Sequence, residues 1–366
     1  MRPSAACIAV LCPVLALAQG RAPLTSGVHF RPGDPRSIYV ATTFGLLISR
    51  DDGCSFRWVC PQNIDGAGAL DPSYGSSSRP SYRPKYRIAR DGTIFATTFR
   101  GLRVSRDGGC SFTTATSGAP AGDPGRIADA WIDAIDLAPT GDLWVTTADS
   151  GKPNDVYRST DNAETFRSAG LLSPSIWWKS VVVAPSRARR IYATGYQVAG
   201  TLGGGGQRPP TAHLEVSDDT GTRWQESPLT GVAFGAVPEV LVLGVDPGDP
   251  DIVFLSSVLA SAPGDRLYRS SDGGRTWTDV LDTVSPIVDL AALPDGGVLV
   301  ATRGAGAFRS TDHGASFQPM VGAPPLACIG QRGDGAVFGC GATGEPDFQA
   351  VARSQGGRTW NEVFRF

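Results

Sequence analysis

One short phrase, Ser-x-Asp-x-Gly-x-Thr/Ser-Trp/Phe, recurs seven times along the chain and constrains its fold more than any other feature. It reads SRDDGCSF at Ser49–Phe56, SRDGGCSF at Ser105–Phe112, STDNAETF at Ser159–Phe166, SDDTGTRW at Ser217–Trp224, SSDGGRTW at Ser270–Trp277 and STDHGASF at Ser310–Phe317. A degenerate copy, RSQGGRTW, closes the set at Arg353–Trp360. The phrase has the physics of a tight hairpin. The carboxylates of Asp51, Asp107, Asp161, Asp219, Asp272 and Asp312 can each accept hydrogen bonds from backbone N–H groups of their own turn. The glycine supplies a left-handed backbone angle that costs other residues more. The closing aromatic begins the next strand and packs against the sheet. Ala163 replaces the glycine in the third copy and Gln355 the aspartate in the seventh, so those two turns are expected to be looser.

Each phrase ends a longer unit. Upstream lie FRPGDPRSIYVATT at Phe30, VAPSRARRIYATG at Val183 and VDPGDPDIVFLSS at Val245, with shorter versions at Ile88, Leu137, Leu293 and Gln331. Every one reads as strand, turn, strand. A third strand ending in Arg-Ser or Val-Ser follows, then the Ser-x-Asp turn, then a fourth strand. Four antiparallel strands per repeat, at spacings of roughly 40–60 residues, is the pattern of a propeller blade. Helical periodicity is absent. The chain is therefore expected to be all-β: a single seven-bladed β-propeller of four-stranded antiparallel blades.

The phrase resembles the Asp-box, or BNR, repeat of sialidase-like β-propellers, and the resemblance covers nearly the whole chain after its first residues. It implies that the Asp-box turns share one face. The ligand site then lies on the other, built from connections between blades and between second and third strands. Here those connections are long in blades one to five and mostly short in the last two, and long loops on a rigid scaffold are where binding usually lives. A sialidase of this family needs an arginine triad, a Tyr–Glu nucleophile pair with the Tyr from a late blade, and an acidic proton donor. No Tyr follows Tyr268. Arg31, in HFRP, echoes the family's Phe-Arg-Ile-Pro motif but sits in the x-P-G-D-P turn that recurs at Asp246, which gives it a structural reading. Xyloglucan-cleaving relatives use two propellers with a cleft between them. Photosystem II assembly factors and sortilin-type receptors share the repeat type and act by binding proteins.

Composition narrows the setting. The chain holds 46 Gly and 28 Pro, as many short strands and turns require. A formal net charge of −2 gives no reason to expect nucleic acid. Three of the 33 basic residues are lysines (Lys85, Lys152 and Lys179), a bias expected of a GC-rich bacterial genome. Arg2 and the apolar run Ala5–Ala18 have the layout of a secretory signal peptide, too short for a membrane span. Residues 1–18 are expected to be a leader and 19–366 the propeller, secreted or periplasmic, without a membrane span and monomeric. Export permits disulfides. Cys328 and Cys340 lie six residues either side of Asp334 in a predicted hairpin and should face each other as a disulfide. Cys54 and Cys60 would need a bend to meet. Cys54 and Cys110 fall on separate blades, which argues against a bond, and at least one cysteine is left over.

The search for chemistry yields little. His29, His213 and His313 are scattered, so neither a metal centre nor Ser-His-Asp chemistry is expected. Gly203–Gly206 lacks the Gly-Lys-Ser/Thr of a phosphate loop. No catalytic residue, metal or cofactor is assigned. The candidate ligand contacts are Trp131, Trp177, Trp178, Lys179, Tyr196 and Phe234, with Tyr74 and Tyr82 on the same loop-rich side. Adjacent strand residues point to opposite faces, so at most one of Trp177 and Trp178 can bury in a given core. The reading is a secreted, non-catalytic binding or scaffold propeller recognising a protein or carbohydrate ligand on its loop-rich face. The alternative is a sialidase-like glycoside hydrolase with a rearranged site, which a pair of convergent carboxylates on that face would favour.

Overall fold

A computed structural model describes residues 24–65, 84–116, 127–201, 207–258, 264–303, 306–341, 349–355 and 359–365. The leader expected over residues 1–18, Tyr74 and Tyr82 lie outside them. Seven four-stranded antiparallel sheets each take their strands in chain order. Blade 1 comprises Thr25–His29, Ile38–Thr42, Gly45–Ser49 and Arg57–Val59; blade 2, Tyr86–Ile88, Ile94–Thr98, Gly101–Ser105 and Thr113–Thr114. Blade 3 comprises Ile132–Leu137, Leu143–Thr147, Val156–Ser159 and Arg167–Ser168; blade 4, Trp177–Val183, Ile191–Gln197, Thr211–Ser217 and Gln225–Glu226. Blade 5 comprises Val240–Val245, Val253–Val258, Asp265–Ser270 and Thr278–Asp282; blade 6, Ile287–Ala292, Val298–Thr302, Ala307–Ser310 and Gln318–Pro319. Blade 7 comprises Leu326–Gln331, Ala336–Gly341, Gln349–Gln355 and Thr359–Arg365. A two-stranded ribbon, Gly200–Thr201 with Gln207–Arg208, extends the second-to-third connection of blade 4, and one short helix, Pro61–Asp65, follows blade 1.

The first strand of each blade packs against those of its neighbours, and blade 7 meets blade 1 to close the ring. Second strands are buried on both faces: Ile38–Thr42, Ile94–Thr98 and Leu143–Thr147 have no residue open to solvent. That is why they read as continuous apolar runs and not as alternations. The core is divided into seven clusters, one at each interface between blades. The closing aromatic of every repeated phrase is a wedge into the interface with the preceding blade. Phe112 lies between blades 1 and 2, Trp224 between 3 and 4, and Trp360 between 6 and 7.

The turn itself depends on its serine as much as on its aspartate. In blade 5, Gly274 N donates to Ser270 Oγ (2.8 Å), and Ser270 Oγ donates to Asp272 Oδ1 (2.8 Å). Asp272 also accepts from Arg275 N, Thr276 N and Thr276 Oγ1 at 3.0, 2.9 and 2.6 Å. The same relay recurs in blades 1 to 4 and 6. The glycine has a second reason beyond its positive φ. A Cβ on Gly314 would lie 2.2 Å from Phe254 of the preceding blade. The turn with Ala163 is not loosened: Ala163 takes φ 67° and keeps its 3.0 Å bond to Ser159 Oγ. There the cost falls on the backbone, since an alanine is held in a left-handed conformation.

Among the described residues no strand pairs from one blade to the next, and side chains tie the blades together. Asp136, Asp265 and Asp289 accept from Val183 N, Ile287 N and Ile329 N of the following blade at 2.9, 2.8 and 3.0 Å. On the turn side, Asn162 reaches Asp91 and Thr93 of blade 2, and His313 Nδ1 lies 2.8 Å from Asp246 Oδ2 of blade 5. At the seam between blades 7 and 1, Asp52 takes Arg332 Nη1 (2.5 Å) and Arg353 Nη1 (3.0 Å), and Thr25 Oγ1 lies 3.2 and 3.1 Å from the carbonyls of Gly341 and Ala350. Among the described residues no strand pairs across this seam. Within blade 7, Cys328 and Cys340 are directly paired across the first two strands and disulfide-bonded, Cα–Cα 4.9 Å.

Candidate functional site at the mouth of the central channel

Antiparallel order puts the first-to-second and third-to-fourth turns on one face, and the other connections on the opposite face. The inner strands therefore all begin at the loop-rich end of the central channel. Six of the seven carry a β-bulge that leaves one residue without a register partner: Ser26, Asp133, Lys179, Leu243, Val288 and Ala327. A bulge re-aims a side chain. In blades 3 and 4 the re-aimed residues are charged and meet, with Lys179 Nζ 2.9 Å from Asp133 Oδ1. Both are largely buried, at 14% and 6% side-chain exposure. The Lys179 ammonium also sits 5.4 Å from the Trp131 ring, a cation–π contact.

Two more charges stand at the same end. Lys85 directly precedes the inner strand of blade 2, and Glu239 that of blade 5. Burial pushes the Glu239 carboxyl up, partly offset by Lys179, while Asp133 and Asp265 add like-charge repulsion. Burial works against the Lys179 ammonium, but Asp133 and then Glu239 outweigh it and hold it above its usual range. Asp133, Lys179, Glu239 and the Tyr196 hydroxyl are thus one coupled electrostatic group. Tyr196, buried and raised by desolvation, packs its ring against Trp177 at 5.9 Å. The opening thus combines aromatic rings with the carboxylates of Asp133 and Glu239 around the Lys179 ammonium.

The structure brings together Trp131, Trp177, Lys179 and Tyr196 from the sequence-derived candidates. It does not bring Trp178. That ring is 2% exposed in the core between blades 3 and 4, and its Nε1 donates to Leu171 O at 3.0 Å. The alternation of strand side chains, with Trp177 taking the other face, is the physical reason. Phe234 is 41% exposed on the connection into blade 5 and makes none of the group's ion-pair or ring contacts among the described residues. The six phrase aspartates lie on the opposite face, spent on their own turns. Arg31 is there too, its Nε donating to Arg90 O of blade 2 at 2.9 Å. Sequence reasoning missed Lys85, Asp133, Glu239 and Asp265. Three of them had a signal: a charge at the start of a largely apolar inner strand, as in PKYRIA, WIDAIDL and PEVLVLGV.

Fold and site together define a single-ring seven-bladed propeller with a charged, aromatic channel mouth. No family model matches the chain. The oligoxyloglucan-reducing-end-specific xyloglucanase of Emericella nidulans is 25% identical over an alignment of 294 residues that covers 72% of this chain and 35% of that protein, so the chain spans about a third of its relative's length. Among solved structures, YCF48 from Cyanidioschyzon merolae superposes with TM-score 0.55 at 13% identity, covering 87% of this chain and 96% of that one. The β-propeller domain of the Trilobed protease from Pyrococcus furiosus gives 0.55 at 11% identity, with 94% and 99% covered. The Niastella koreensis GH74 enzyme gives 0.50 at 16%, with 92% and 65% covered. At these identities the structural likeness is one of fold. No helix of the described residues is long and apolar enough to cross a membrane.

Proposed function

We propose that the protein acts on a glycan at the channel mouth as a glycoside hydrolase, with Glu239 as proton donor and Asp133 as the second carboxylate. The observation that carries this reading is the unlike setting of the two groups. Glu239 is partly buried, and desolvation raises its carboxyl, the direction a general acid requires. Asp133 is instead held in an ion pair with the Lys179 ammonium at 2.9 Å. A proton from Glu239 would go to the leaving glycosidic oxygen, and the Asp133 carboxylate would orient the attacking water or oppose the positive charge developing on the sugar ring. The Trp177–Tyr196 pair offers an aromatic surface on which a sugar ring can stack. The xyloglucanase relative supports a glycan of that class as the first substrate to try. Export through the leader expected at the N-terminus would place the protein where such polymers are met.

The test is release of reducing sugar from xyloglucan oligosaccharides by the wild-type protein and by Glu239→Gln. Loss of a proton donor should lower the rate roughly 100-fold or more with the melting temperature unchanged. An unaltered rate in Glu239→Gln would overturn the assignment. A second reading, a glycan binder without turnover, is favoured by the same ion pair, because Lys179 already occupies Asp133. Saturable oligosaccharide binding with no products from the wild-type protein would establish it.

A further inference from the structure

At the opposite end of the channel, on the face of the Ser-x-Asp turns, lies a cavity of about 680 Å³. All of its lining belongs to the described residues. Its size is that of small-molecule sites in general. Val28, Phe30, Pro32, Pro35, Ile88 and Leu137 give it apolar walls, and Arg31, Arg87, His29 and Gln331 set polar groups among them. Nothing in the reading of the channel mouth uses it.

The balance of donors and acceptors in this cavity is uneven. The neighbouring carboxylates are committed to the fold. Asp136 accepts from Arg87 Nε (3.1 Å) and Val183 N (2.9 Å), and Asp289 from Leu290 N (2.9 Å) and Ile329 N (3.0 Å). Arg332 is fully engaged with Asp334 and Asp52. The guanidinium groups of Arg31 and Arg87 are only half used. Arg31 gives Nε to Arg90 O and stands 3.9 Å from Asp34, a loose pair. Arg87 gives Nε to Asp136 and Nη1 to Tyr86 O. Among the described residues no protein acceptor takes Nη2 of either. The His29 ring faces this protein-walled lumen and is desolvated without being sealed. Its pKa is pushed down to about 3 by that desolvation and then by Arg87, so it stays neutral and adds a hydrogen-bonding group without charge. Of the lining carboxylates, Asp334 is paired with Arg332, and Asp34 takes Arg36 N and stands only loosely by Arg31, so Arg31 and Arg87 bring donors that the lining does not fully use.

We propose that this cavity is a second ligand site, specific for a small amphipathic carboxylate whose anionic head bridges Arg31 and Arg87 and whose apolar body lies against Phe30 and Leu137. Planar guanidinium groups with free edges match a carboxylate's two oxygens. A neutral ligand of the same shape would leave the two guanidinium edges unpaired. The site does not depend on the channel mouth being catalytic.

The probe is 3-phenylpropionate, with its primary amide as the neutral counterpart, titrated by calorimetry into the wild-type protein, Arg31→Gln, Arg87→Gln and Glu239→Gln. The carboxylate should bind saturably and the amide roughly tenfold more weakly or worse. Arg31→Gln and Arg87→Gln should each bring the carboxylate down to about the amide's affinity, and Glu239→Gln should leave it unchanged. Arg87 also anchors Asp136, so Arg31→Gln, at an exposed turn, is the variant whose fold is safe. Equal binding of acid and amide, no binding of the acid by the wild-type protein, or full affinity in Arg31→Gln would each overturn the proposal. Loss of binding in Glu239→Gln would move the ligand to the channel mouth and overturn it too.

Discussion

At the residue scale, the repeated turn stands on a buried serine. Asp272 is mostly open to water, and its hydrogen bonds from Thr276, Ser270 and Arg275 outweigh burial to hold its carboxyl down to about 2. Ser270 is 1% exposed and is the acceptor of Gly274 N. Removing its hydroxyl leaves a buried N–H without a partner and also takes one donor from Asp272. Ser270→Ala should therefore cost about 1–3 kcal/mol. Urea unfolding of Ser270→Ala beside wild type measures it, and an unshifted midpoint would mean that water replaces the hydroxyl. The same hydrogen-bond logic explains why Ala163 is accepted. Its turn keeps the serine relay, so only the backbone angle is strained.

At the level of single strands, alternation decides what each aromatic and each carboxylate does. Trp178 fills the core between blades 3 and 4, where a Cβ on its partner Gly195 would lie 2.9 Å from its ring. Trp178→Ala should destabilise by about 3–5 kcal/mol, the usual range for emptying an aromatic site. Trp177→Ala, on the other face and half-buried, should cost markedly less and weaken ligand binding instead. Thermal melts and glycan titration on both variants separate the two roles. On the outer half of blade 4, Glu215 and Glu226 are directly paired across two strands. Burial and then Glu226 push Glu215 up to about 7. A carboxyl whose folded pKa is raised adds stability below its unfolded value, and that contribution is lost as pH rises through the folded value. Wild-type stability should then fall between about pH 5 and pH 8. Glu215→Gln should flatten that slope and be the more stable protein at pH 8, as melts at the two pH values would show. Because Glu215 is only half-buried, the effect should be small.

For the whole molecule, the ring is held by side chains at the seam between blades 7 and 1, across which no strand pairs among the described residues. Asp52, in the third-to-fourth turn of blade 1, pairs in blade 7 with Arg353 and with Arg332, which is 3% exposed. Asp52→Ala leaves that guanidinium with Asp334 alone and deprives Arg353 of its bond. A loss of about 1–3 kcal/mol is expected, below the full cost of orphaning a buried charge because Asp334 remains. Hydrogen exchange should quicken first in Thr25–His29 and Leu326–Gln331, where the ring opens. Uniform acceleration through all seven blades would show that the seam is no weaker than the other interfaces.

The repeats alone determined the strand count, the four-strand unit and the shared face of the turns. Those are local properties, written in residues that are close in sequence, and a phrase used seven times states them seven times over. The facing of Cys328 and Cys340 was legible for the same reason, since a two-residue period about a single hairpin fixes it. The channel mouth was not. Asp133 and Lys179 come from different blades, and a bulge in each strand turns them toward each other. A bulge shifts register by one residue, which apolar alternation in a short strand does not reveal. Likewise, Trp131 and Lys179 could be named from sequence as aromatic and basic, but not as a stacked pair. The partners of Asp52, Asp136 and Asp289 lie on neighbouring blades, so their commitment to the fold, and with it the unspent arginines of the far cavity, was decided only when the ring closed.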